Sequence, residues 1–117
     1  MNLDEQEKLR RRKWEVLKRV RATFQAWSER QPRAAKMHGL EFMPHRKFLE
    51  IYFFYEKDAD VTEGELQGFS ELIRQEMLRE LAELQYPDFE PSRVRFVFDS
   101  HENVVKNYQG SYFFRLR

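Results

Sequence analysis

The chain has 117 residues, of which 41% are hydrophobic and 35% charged, and it contains no cysteine. That length supports one domain around a single modest core, the composition excludes a disordered tract, and the lack of cysteine excludes a disulfide framework or a thiol nucleophile. No apolar run approaches the ~18 residues of a membrane span, and MNLDEQEKLRRRKW lacks the apolar segment of a secretory signal, so a soluble cytoplasmic protein is expected.

The net charge of +1 conceals a sorted distribution. Residues 1–47 carry 13 Lys/Arg against 6 Asp/Glu, residues 56–90 carry 3 against 11, and residues 91–117 carry 5 against 2. Segregation of this kind speaks to partners more than to fold. Aromatic content is high, with 11 Phe and 5 Tyr, which predicts a core built from rings and some rings left exposed for a partner.

The first predicted element is a long helix from Leu3 to Arg30. Asn2 caps it and Glu5 completes an N-x-x-E capping box. Trp14, Leu17, Phe24 and Trp27 fall on one helical face, flanked by Val20, and Gln31-Pro32 stops the helix. MHGLEFM and KFLEIYFFYE then predict two antiparallel strands. The second places Phe48, Glu50, Tyr52 and Phe54 on one face and Leu49, Ile51, Phe53 and Tyr55 on the other; two apolar faces mark it as a central strand.

A second helix is expected after EKDAD. Thr62 and Glu65 read as a capping box, Val61 and Leu66 as a hydrophobic staple, and Leu66, Phe69, Ile73, Met77 and Leu84 as the apolar stripe, ending at Tyr86-Pro87. RVRFVFD predicts a strand with Val94, Phe96 and Phe98 on one face and Arg93, Arg95, Val97 and Asp99 on the other. SYFFRLR alternates again and reads as a last strand. The expected fold is a single α+β domain over 1–117 in the order α-β-β-α-β-β, a mostly antiparallel four-stranded sheet with two helices on one face.

Asp99, Ser100, His101 and Glu102 are adjacent and suggest catalysis at first sight. Triads, however, are spatial arrangements, and the local reading is that Ser100 ends a strand and caps the helical turn HENVVKNY, which Gly110 closes in a left-handed conformation. An enzyme using His101 and Glu102 stays open as a minor reading. His38, His45 and His101 fit no metal-ligand spacing, and neither a P-loop nor a G-x-G-x-x-G is present, so no metal or cofactor is expected.

The run Lys8, Arg10, Arg11, Arg12 and Lys13 is the candidate nucleic-acid surface, with Arg93 and Arg95 as possible additions; Glu7 and Glu15 can pair with it along the helix. Opposed to it are the acids Asp58, Asp60, Glu63, Glu65, Glu71 and Glu76, continued by Glu80 and Glu83. They form either a solvated helix face or a surface complementary to a basic protein, with Tyr55 and Tyr86 as exposed anchors.

RVRFVF followed by FDSHENVVKNYQGSYFFRLR, above all FDS-x-EN and the aromatic G-S-Y-F-F, resembles the C-terminal segment of small bacterial immunity proteins encoded beside polymorphic or contact-dependent growth-inhibition toxins. The resemblance implies a protein that performs no chemistry and blocks the active site of a cognate toxin domain. A nuclease would be the natural toxin, with the acidic surface facing its phosphate-binding cleft. The alternative, from the residues alone, is a small nucleic-acid-binding protein using the basic helix.

Overall fold

The structure, a computed structural model, describes residues 2–117. It is an α+β arrangement of a three-stranded sheet and five helices: α1 (Leu3–Glu29), β1 (Met37–Pro44), β2 (Leu49–Tyr55), α2 (Asp58–Leu66), α3 (Phe69–Glu83), β3 (Val94–Ser100), α4 (His101–Asn107) and α5 (Tyr112–Arg115). Short 3₁₀ turns precede β1 and β3, at Ala34–Lys36 and Pro91–Arg93.

Asn2 starts α1 as expected: its side chain accepts the Glu5 backbone N–H at 2.8 Å. Leu17, Val20 and Phe24 are the buried positions of α1, one face of a helix of 3.6 residues per turn. β2 is the middle strand, which is why both its faces are apolar. It pairs antiparallel with β1, with Phe42 opposite Ile51 and Leu40 opposite Phe53. It pairs parallel with β3, with Ile51 beside Phe96 and Phe53 beside Phe98.

That parallel pair corrects the expected mostly antiparallel sheet. A helical return between two strands of one sheet carries the chain back to the end from which it started, so the second strand runs the same way. The sheet also has three strands rather than four. SYFFRLR does not pair with an edge; Tyr112–Arg115 is one turn of helix, with Ser111 Oγ accepting the Phe114 N–H at 3.2 Å. Gln109 (φ 56°) and Gly110 (φ 74°) turn the chain just before it.

The expected second helix is two helices. Gly68 takes φ 81° between them, a left-handed conformation that glycine adopts without penalty. α2 begins at Asp58, four residues before the Thr62 cap read from the sequence, because the Lys57 N–H donates to Asp60 Oδ2 at 3.1 Å. The proposed staple residue Leu66 is 82% exposed.

α1 and α3 cover one sheet face. Leu17, Val20 and Phe24 of α1 and Phe69, Ile73, Met77 and Leu81 of α3 close a core with Phe42, Leu49, Ile51, Phe53 and Tyr55. The second face of the sheet is covered at one end by the C-terminal segment: Tyr112 sits edge-on to Phe54, with centroids 4.8 Å apart, and the Arg115 guanidinium lies 5.5 Å above the Tyr52 ring. Burying Phe54 is what draws the tail across the sheet instead of along its edge.

Candidate functional site

The DSHE sequence runs from the carboxyl end of β3, beside that of the parallel strand β2, into the first turn of α4. Ser100 is fully buried and caps α4, its Oγ accepting the Asn103 N–H at 2.9 Å and donating to Asp58 Oδ1 at 2.5 Å. That hydroxyl, with the charge of Lys106 as a further cause, holds the Asp58 carboxyl below its ordinary value. Glu102 accepts the Asp58 backbone N–H at 2.9 Å, which ties α4 to α2. Asp99 accepts from the Ser100 N–H at 2.8 Å, from Asn103 Nδ2 at 3.0 Å and from Arg115 Nε at 2.5 Å.

The His101 ring stacks on His38 with centroids 3.9 Å apart, and its Nδ1 lies 2.7 Å from the Tyr112 hydroxyl. His38 Nδ1 in turn lies 3.0 Å from Glu56. Ser100 and His101 therefore face different partners. The four residues form the strand-to-helix turn that the local reading expected, and His101 and Asp99 also hold the tail in place.

The acidic residues are not a free surface. Glu63 pairs with Lys36 at 3.0 Å, and the lysine's hydrogen bond and charge hold its carboxyl low. Asp60 is buried, accepts from Lys57 and lies 3.8 Å from Lys36. Arg74 bridges Glu65 at 3.1 Å and Glu71 at 3.0 Å, and Glu76 pairs with Arg79. Burial would push the Glu76 carboxyl up, but the hydrogen bond and charge of Arg79 outweigh it and hold it low. Glu80 points inward and is 1% exposed. Burial first, then the neighbouring carboxyl of Glu76, push its pKa up to about 8, and its oxygens meet no hydrogen-bond partner among the described residues.

Tyr55 and Tyr86, expected as exposed anchors, are 1% and 8% exposed. The Tyr55 hydroxyl bonds Ser70 Oγ at 2.7 Å inside the core, so both are packing residues. Phe113 and Phe114 on α5 are exposed instead, at 70% and 45%, as is Trp14 on α1; the strand reading of SYFFRLR had divided the two phenylalanines between two faces.

The basic run is split by the helical period. Arg10 and Lys13 face a groove of ≈ 720 Å³ between α1 and the β1–β2 hairpin, whereas Lys8, Arg11 and Arg12 do not line it. Glu7 pairs with Arg10 at 2.7 Å and Arg11 at 4.0 Å. Arg93 pairs with Glu90 at 3.6 Å, and Arg95 lies 4.2 Å over the Phe48 ring. Among the described residues no cluster of His, Cys, Asp and Glu could hold a metal, and no helix is long and apolar enough to cross a membrane. No protein-family model, curated protein or solved structure matches the chain.

Proposed function

We propose that this chain is a non-catalytic binding protein of the immunity class, which neutralises a cognate toxin domain in the bacterial cytoplasm by covering that domain's active site. The observation that carries the reading is the exposed pair Phe113 and Phe114. It is presented by a segment braced through Arg115–Asp99, Tyr112–His101 and Tyr112–Phe54. Large rings held out on a rigid base are the usual anchors of a protein interface, since little side-chain freedom is lost when they dock. The same segment carries the resemblance to immunity proteins, so exposure and sequence support the reading from separate directions.

The acidic helices have a supporting role. Their carboxylates are paired within the chain, yet residues 56–90 retain 11 acids against 3 bases, and such a field steers a basic partner towards the molecule. A nuclease domain with a phosphate-binding cleft has the matching chemistry.

Co-expression with the toxin domain encoded beside this gene tests the reading. Growth should be restored and the two purified chains should form a stable complex. A neighbouring gene that encodes no toxin, or two chains that neither associate nor restore growth, would sink it.

A further inference from the structure

At the opposite end of the strands from Ser100, the groove between the first half of α1 and the hairpin has an apolar floor and a basic rim. Leu9, Trp14, Phe42, Met43 and Pro44 line the floor, and Trp14 is 41% exposed within it. Arg10, Lys13 and Arg46 stand on the rim, with Asp88 the one acid among the lining residues. Lys13 and Arg46 make no ion pair among the described residues, and Arg10 pairs only with Glu7, across a hydrated helix surface.

We propose that this groove is a docking site for an acidic amphipathic helix of a protein partner. Its occupant follows from complementarity: unpaired cations around an apolar floor select carboxylates flanking an apolar stripe. From Gln6 to Trp14 the groove follows about two helical turns, ~12 Å, which matches anchors spaced i, i+3, i+4 and i+7. A nucleic-acid strand fits less well. It needs rings in series for the bases and cations in a continuous track, whereas Trp14 is the one exposed ring of this floor, Phe42 being buried, and Lys8, Arg11 and Arg12 lie off the groove. The site is separate from the Phe113–Phe114 face and does not depend on the toxin reading.

Fluorescence anisotropy on the full chain tests it with three labelled probes. One is a helical peptide with leucines at i, i+3, i+4 and i+7 and glutamates elsewhere, the second has lysines for the glutamates, and the third is a single-stranded oligouridylate. The glutamate peptide should bind about tenfold or more tighter than the other two, less tightly as salt rises. Lys13→Glu with Arg46→Glu should weaken it about tenfold or more at an unchanged melting temperature, and Trp14→Ala should weaken it too. Arg19→Glu, on the exposed side of α1, should leave it unchanged. The proposal is overturned if the glutamate peptide does not bind, if the double variant binds it as well as the parent, or if the oligouridylate binds as tightly through the same residues.

Discussion

Arg115 Nε donates to Asp99 Oδ2 at 2.5 Å, joining the last helix to the end of β3. The two side chains are only 20% and 14% exposed, so the pair is shielded from the water that makes surface ion pairs weak. The carboxylate also serves the Ser100 N–H and Asn103. One acid thus orients both the cap of α4 and the aromatic tail.

Arg115→Ala should therefore cost about 1.5–3 kcal/mol, the range for losing a hydrogen bond to a charged group. The measurements are the chemical-denaturation midpoint and amide exchange, which should speed up selectively over residues 111–116. Arg115→Lys should recover only part of the loss, because an ammonium cannot both meet Asp99 and lie over the Tyr52 and Tyr108 rings as the guanidinium does.

Glu80 predicts a pH dependence. Its folded-state pKa of about 8 lies above the ordinary glutamate value of 4.5, so the folded chain holds a proton that the unfolded chain releases. The resulting stability is complete below the ordinary glutamate value and is lost as pH rises through about 8. Thermal melts between those limits should show stability falling with pH. Glu80→Gln should flatten that slope and stabilise the chain at pH 8 and above, and an unchanged slope in the variant would assign the effect elsewhere.

Gly64 lies in α2 against the buried Tyr55 side chain. A Cβ there would collide with the Tyr55 hydroxyl and press on Ser70 Oγ, the two atoms that hydrogen-bond each other at 2.7 Å. Gly64→Ala in a free helix would stabilise by about 1 kcal/mol. Here it should destabilise by about 1–3 kcal/mol through overpacking, as a denaturant titration would show.

Charge reversal should divide the acidic residues into two groups. Asp60→Lys removes the acceptor for the Lys57 N–H and the neighbour of Lys36, and should cost about 1 kcal/mol, as loss of a helix cap does. Glu71→Lys, on the exposed face beside Arg74, should change stability by no more than about 0.5 kcal/mol. Parallel thermal melts of the two variants would separate them.

The features legible in the sequence were those set by local chemistry. Asn2 capping α1, the two-faced apolar pattern of β2 and the Ser100–Gly110 turn each depend on residues within a few positions of one another. The strand reading of SYFFRLR failed because alternation over so few residues fits one helical turn as well as a strand. Its partners Phe54, Asp99 and His101, distant in sequence, decide between them. The break at Gly68 was not legible because a single glycine inside an apolar stripe does not announce a positive φ. The positions of the candidate surfaces were not legible. Tyr55, Tyr86 and Glu80 are buried by partners far along the chain, and Arg46 joins Arg10 and Lys13 only once the hairpin folds back towards α1.

The most direct test of the proposed binding function is a titration of the Phe113→Ala, Phe114→Ala double variant against a toxin domain encoded beside this gene. Both rings are exposed, so the melting temperature should match the parent while affinity falls by at least about 2 kcal/mol, roughly thirtyfold. Parental affinity at an unchanged melting temperature would contradict the assignment of α5 as the docking face.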